Sequence, residues 1–262
     1  MQQVAEWNAP APEEFREQIA PRRAPAVLRG IAASWPLVVA AKDGTRRCMT
    51  LLAARASAEP LIIIRADPSL EGRFHYGPDG RAGNFIRGRG PMSALLTALA
   101  EEGSAARPFA IAAQAATAEE YLPGFRASHP MPFVPSEAFP RMWIGNAAKV
   151  GTHNDPTDNI AVVAAGRRRF TLFPPEAEDD LYMGPARPSP AGTPVSMVHV
   201  TAPDLDAYPR YKEALAKALE AELGPGDAIF IPADWFHHVE ALESFNILVN
   251  YWWPESSPAA AP

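Results

Sequence analysis

A chain of 262 residues, 47% hydrophobic and 21% charged, is long enough for one large domain or two small ones and can bury a sizeable core, which sets disorder aside. Its net charge of −6, with Arg167-Arg168-Arg169 as the one local basic run, argues against a nucleic-acid partner, whose phosphates require a concentrated basic face. A single cysteine, Cys48, excludes an intramolecular disulfide and a cysteine-based zinc cluster, so any metal must be held by His, Asp, Glu or Asn.

The first residues lack a basic start followed by an apolar run, and no apolar run is long enough to span a bilayer. The expectation is a cytoplasmic protein without a membrane partner. The 29 prolines, many of them flanking short β-type runs, point to short strands joined by turns. In chain order, helical apolar spacing covers 12–20, 48–56 and 91–103, and strand candidates fall at 26–30, 60–66 and 108–114. Residues 12–139 therefore read as a mixed α/β portion. Beyond it, strands are expected at 140–146, 159–166, 167–175, 194–200, 227–233 and 244–253. One helix is expected over 208–224, with Leu215, Leu219 and Leu223 on one face and Gly224 closing it. Short strands around a polar interior fit a mainly β fold with helices: a double-stranded β-helix, or jelly roll, of the cupin kind. The expected organisation is one domain over 1–254, with 140–254 as its metal-binding core and 255–262 as a flexible tail.

The polar stretch Gly151-Thr-His-Asn-Asp-Pro-Thr-Asp-Asn159 stands in an apolar neighbourhood. If 151–165 is one strand, His153, Asp155, Thr157 and Asn159 share a face and Asp158 points away. The Cα atoms of His153 and Asp155 would then lie roughly 6–7 Å apart, close enough to converge on one ion. Taken alone, the same residues also fit a polar strand end with Asp-Pro starting a turn. Further on, Pro225-Gly226-Asp227 forms a turn into a β run that Pro232 stops, and His237-His238 follows. Neighbours on a strand face opposite ways, so only one of that pair can meet the ion. Two histidines and a carboxylate on separate jelly-roll strands would form the facial triad of non-haem Fe(II) oxygenases; the alternative for His237 is a core histidine bonded to backbone.

The runs HND, GRRRFTLFPP, PGDAIFIPADWFHHVE and NILVNYWW, with PAVLRGIAASWP near the start, resemble the cupin-like JmjC oxygenases. That family includes the asparaginyl hydroxylase inhibiting hypoxia-inducible factor, and the resemblance covers about residues 12–254. It implies Fe(II), 2-oxoglutarate and O2, with oxidative decarboxylation to succinate and hydroxylation of a C–H bond. The substrate class it implies is a protein or peptide side chain or a small molecule, and a homodimer is compatible with it. Carried onto this chain, the metal ligands are His153, Asp155 and His237, which leaves His238 to packing or to support of the ligands.

In RRRFTLF, Arg168 shares a face with Phe170 and Leu172, so it is expected to point inward. A buried guanidinium needs a carboxylate, and here that would be the distal carboxylate of 2-oxoglutarate, held by a lysine in the resembling enzyme. Asn159 and Asn250 match positions that contact the co-substrate. Two hydroxyls of the family pattern are missing, with Phe109 and Val150 in their places, and Tyr76 and Thr152 are the candidates to compensate. These losses keep two alternatives open: a non-catalytic metal- or small-acid-binding cupin acting as sensor or scaffold, or a metal-dependent cupin enzyme that does not use 2-oxoglutarate. Trp235, Phe236, Trp252 and Trp253 are read as core, and 176–196 as a loop that covers the barrel mouth, mediates dimerisation or is simply solvated.

Overall fold

The computed structural model describes residues 1–77, 83–186 and 192–254. The expected flexible tail, 255–262, and part of the 176–196 loop lie outside the described residues.

Among the described residues, fifteen strands are formed: β1 (Gln2–Gln3), β2 (Ala5–Asn8), β3 (Ala26–Arg29), β4 (Leu61–Ala66), β5 (Arg73–Phe74), β6 (Ile86–Gly90), β7 (Ala110–Thr117), β8 (Arg141–Gly145), β9 (Lys149–His153), β10 (Asp158–Ala165), β11 (Arg168–Phe173), β12 (Leu219–Leu223), β13 (Ala228–Ile231), β14 (Phe236–Ala241) and β15 (Asn246–Trp253). They make a six-stranded sheet ordered β1-β12-β11-β14-β9-β5 and a nine-stranded sheet ordered β2-β3-β13-β10-β15-β8-β7-β4-β6. From β8 onward, consecutive strands alternate between the two sheets, except that β11 and β12 are both in the six-stranded one, and the neighbours among β8–β15 within each sheet run antiparallel. This is a double-stranded β-helix. The sheet does not stop at residue 140, because β7 pairs antiparallel with β8 and the first portion extends the same nine strands.

Period-two alternation places each strand's residues. On β10, Ile160, Val162 and Ala164 join the large outer core, whereas Ala161 and Val163 face the barrel interior. On β13, Ala228 and Phe230 go outward and Ile229 and Ile231 inward. A sheet buried on both faces reads as a continuous apolar run, and that is how these segments appear in the sequence. The outer face is covered by helices Pro36–Lys42, Thr45–Arg55 and Met92–Glu102 together with Trp35, Phe15 and Phe125. Pro36 occupies the first turn of its helix, where a missing N–H costs nothing.

Three expectations need correction. The helix over 208–224 ends at Lys217, and Leu219–Leu223 forms β12 against β11. Leu219-Glu-Ala-Glu-Leu223 satisfies a helical i,i+4 stripe and a strand's alternation equally well; burying Ala221 and Leu223 in the barrel decides for the strand. Residues 194–200 form no strand and make one isolated bridge, Met183 to Ser196. Residues 151–165 are two strands, β9 and β10, separated by a break that contains Asp155. Among the described residues, no helix is long and apolar enough to cross a membrane.

Candidate metal centre

The register of β9 and β14 puts His153 directly opposite His237, with ring centroids 4.4 Å apart. Asp155 is brought in by the loop after β9 rather than by strand parity. Its carbonyl accepts from Asp234 N–H at 2.9 Å, and its Oδ2 accepts from Trp252 Nε1–H at 3.1 Å. One ligand atom from each of His153, Asp155 and His237 lies within 4.8 Å of the others, and His237 Nε2 stands 3.8 Å from Asp155 Oδ2.

The tautomers follow from the partners. His153 Nδ1 lies 2.9 Å from the Gly151 carbonyl, and His237 Nδ1 lies 3.2 Å from the Trp235 carbonyl. A carbonyl only accepts, so each Nδ1 carries the proton and each Nε2 keeps its lone pair. Burial, with the His153 ring beside it, holds the His237 imidazole down to about 4, so it is neutral at pH 7 and competent as a ligand. Two imidazole Nε2 donors and one carboxylate fit a divalent metal of the non-haem iron type. His238 points to the opposite face of β14, where Glu240 Oε1 lies 3.8 Å away; burial pushes its imidazole down to about 4. Asp158 also faces away, pairing with Arg23 at 2.8 Å and accepting from Ala233 N–H.

The three side chains stand in a cavity of about 640 Å³. Arg168 lines it, buried, with no hydrogen-bond partner for Nε and no ion pair among the described residues. Desolvation lowers its guanidinium to about 10. Its neighbours show the contrast: Arg167 pairs with Glu222 and Glu243, and Arg169 pairs with Glu220, Glu222 and Glu240, all on the outer face. Asn159 and Asn250 also line the cavity. Asn250 Nδ2 donates to Asn159 Oδ1 at 3.0 Å, and Asn250 Oδ1 has no partner.

The supporting residues fall differently from the sequence-based expectation. Thr152 alternates with His153 and is buried on the outer side of β9, toward Tyr211. Tyr76 lies off the cavity, its hydroxyl donating to the Pro185 carbonyl at 2.8 Å and accepting from Val195 N–H at 3.1 Å, so it anchors the loop beyond β11. Phe109 is off the cavity as well, stacked under the Arg65 guanidinium at 3.6 Å. Val150 does line it, because a bulge in β9 turns both Val150 and His153 inward. Gly192, from the 176–196 loop, borders the cavity too.

Trp252 belongs to the cavity wall rather than the core, packed edge-on against Trp143 at 5.2 Å. Its parity with Asn250 was the signal that could have placed it there. Gln114 is aimed inward by a bulge in β7 at which Ala115 has φ 51°, and no sequence pattern marked it.

A jelly roll with a convergent His/Asp/His cluster inside the barrel, a set that could hold a metal ion, defines a cupin-type protein. Residues 12–259 match the family model described as cupin-like domain, and the chain belongs to that family. It is 36% identical over 121 residues to the lysine-specific demethylase JMJ31 of Arabidopsis thaliana, covering 46% of this chain and 22% of that protein. It is 37% identical over 102 residues to the tRNA wybutosine-synthesizing protein 5 of Mus musculus, covering 39% and 29%. It is 34% identical over 114 residues to the human HSPB1-associated protein 1, covering 42% and 22%. The matches thus span less than a third of the length of these relatives.

Proposed function

We propose that the chain is an Fe(II)- and 2-oxoglutarate-dependent oxygenase that hydroxylates a protein or peptide side chain or a small molecule. The observation that carries this reading is one cavity holding both a convergent His153/Asp155/His237 set and the buried guanidinium of Arg168, which has no ion pair among the described residues. A structural ion pair would have supplied Arg168 with a carboxylate from the chain itself; a cation left bare in a cavity is suited to a ligand's carboxylate.

When bound, iron with 2-oxoglutarate and O2 supplies the oxidation, in which RH, 2-oxoglutarate and O2 become ROH, succinate and CO2. His153 and His237 bring nitrogen donors whose orientation is fixed by backbone carbonyls. Asp155 brings the negative charge, and the Trp252 N–H holds one of its oxygens in place. Arg168 lies four residues along β11 from Leu172, the partner of His237, or about 13 Å of strand. That separation leaves room for a small dicarboxylate between the guanidinium and the metal ligands. Phe170, Val239 and Leu248 make that part of the wall apolar, which excludes water and strengthens an arginine–carboxylate pair.

The test is succinate formation by the purified chain with Fe(II), comparing wild type with His153→Ala and Arg168→Ala. Both variants should drop to background at limiting 2-oxoglutarate. A protein that neither binds iron nor responds to 2-oxoglutarate overturns the reading. Iron binding with no 2-oxoglutarate response would instead favour a non-catalytic cupin, consistent with Val150 standing where the family pattern has a hydroxyl.

A further inference from the structure

Two more arginines line the cavity at its solvent-exposed mouth and have no task in the scheme above: Arg141, the first residue of β8, and Arg87, on the edge strand β6, both exposed. Arg141 is in register with Asn250 of β15, so both stand on the inner face of the nine-stranded sheet. Gln114 and the Trp143 indole border the same stretch of wall. Among the described residues, neither arginine has an ion pair or a side-chain hydrogen bond; Arg87 touches only the Phe85 ring, at 5.1 Å. Arg29, against Glu6 and Asp227, and Arg167, against Glu222 and Glu243, show the contrast of arginines that the chain itself supplies with carboxylates.

Charge bookkeeping inside the cavity gives this a direction. A divalent metal and 2-oxoglutarate cancel one another. Asp155, the sole carboxylate among the described lining residues, cancels Arg168. Arg141 and Arg87 remain, a local positive excess in a chain of net charge −6. From this we infer that the substrate presents a carboxylate or phosphate group to Arg141 and Arg87, beside Trp143 and Gln114. The inference rests on the reading that Arg168 takes the co-substrate. Two cations at one cavity, with an acidic chain around them, suit an isolated oxyanion rather than a polyanion. Its source is a small organic acid or an acidic or phosphorylated residue of a peptide.

The experiment is a calorimetric titration of the full chain loaded with Zn(II), with and without saturating 2-oxoglutarate, so that the result stands whether or not 2-oxoglutarate binds. The probes are three peptides identical except for a central Glu, phosphoserine or Lys, together with malate and a single-stranded RNA oligonucleotide. At least one acidic probe should bind about tenfold more tightly than the Lys peptide, and the ranking of malate against the peptides identifies the source of the oxyanion. Arg141→Ala should remove that preference, Arg141→Lys should restore part of it, and Arg168→Ala should weaken it less than Arg141→Ala does. Unfolding midpoints check that each variant is folded, and Arg87→Ala gives a second, independent loss. Equal binding of acidic and Lys peptides, a preference that survives loss of both arginines, tightest binding of the RNA, or no probe bound at millimolar concentration would each overturn the proposal.

Discussion

The two faces of the nine-stranded sheet are built from alternate residues of the same strands and do different work. On β10 and β15, the outward residues Ile160, Val162, Ile247, Val249, Tyr251 and Trp253 are sealed under helices and aromatic side chains. The inward residues of the same strands are Asn159, Ala161, Val163, Leu248, Asn250 and Trp252, apolar at one end of the barrel and polar at the other. One face stabilises the fold; the other accepts unpaired polar groups that cost stability and have value only with a ligand present. Substitutions should therefore separate the two properties according to residue parity.

The largest separation is expected at His153. His153→Ala should weaken binding of Mn(II) or Fe(II) by at least about a hundredfold, since loss of an outer partner of a ligand alone costs 10–100-fold. The apo protein's unfolding free energy should shift by no more than about 1 kcal/mol. Wild-type metal affinity in this variant, read by calorimetry, would remove His153 from the site. On the opposite face, Phe230 is fully buried, edge-on to Phe15 at 5.2 Å. Phe230→Ala should cost about 3–5 kcal/mol in urea unfolding. A loss under 1 kcal/mol would mean that the outer core is not what holds the sheet.

Arg168 tests the inner face in the reverse direction. Its guanidinium is lowered from the ordinary 12.5 to about 10 by burial alone. A cation with a depressed folded-state pKa destabilises the fold at every pH below that value, and the penalty is relieved only as pH rises from about 10 toward 12.5. At neutral pH the penalty is on the order of 3 kcal/mol. Arg168→Met should therefore stabilise the ligand-free protein by up to that amount. If the proposed function holds, it should also lose the upward shift in melting temperature expected of the wild type with 2-oxoglutarate and a metal. A less stable Met variant would mean that Arg168 has a partner within the fold.

A smaller effect separates the faces by pH. His129 is buried on the outer side, stacked on Phe125 and edge-on to Trp35, and burial holds its imidazole down to about 4. A histidine with a lowered folded pKa contributes its full stability above about 6.5 and loses it as pH falls toward 4, because the unfolded chain takes up the proton first. The loss should be on the order of 2–3 kcal/mol over that window. His129→Gln should flatten the stability profile there without altering metal affinity at pH 7. An unchanged profile would place the proton uptake on other histidines.

Much of this division was legible in the sequence, because alternation in RRRFTLF, in NIAVV and in NILVNYWW says which residues share a face, and the sheet obeys it. Arg168 inward with Arg167 and Arg169 outward follows from that rule alone. What the sequence concealed depends on long-range pairing and on breaks in regularity. His153 meets His237 only because β9 lies against β14, and the bulge that turns Val150 inward interrupts the two-residue period. Asp155 reaches the cluster from a loop, so the H-x-D residues converge with His237 by a different backbone path from the single strand expected. Thr152 was proposed for the interior against the parity rule that its neighbour His153 obeys. The Leu219–Leu223 segment fitted both periods, and only its partner strand β11 could decide between them.

The smallest expected effect is also the closest comparison, since it concerns the next residue along β11. Arg169 faces outward, 39% exposed, with Glu222 at 3.4 Å and Glu220 and Glu240 at 4.0 Å. Exposed pairs at such distances gain little Coulomb energy, are screened by salt and immobilise long side chains, so each contributes about 0–1 kcal/mol. Arg169→Ala should cost less than about 1 kcal/mol in urea unfolding, with the difference shrinking further in 0.5 M salt, and 2-oxoglutarate binding should not change. Arg168, one residue away, has no ion pair among the described residues, yet its removal is expected to raise stability and abolish co-substrate binding. If Arg169→Ala cost more than 2 kcal/mol, or if it altered 2-oxoglutarate affinity, the outer charge ladder would be coupled to the cavity through β11. The two faces would then have to be treated as one unit.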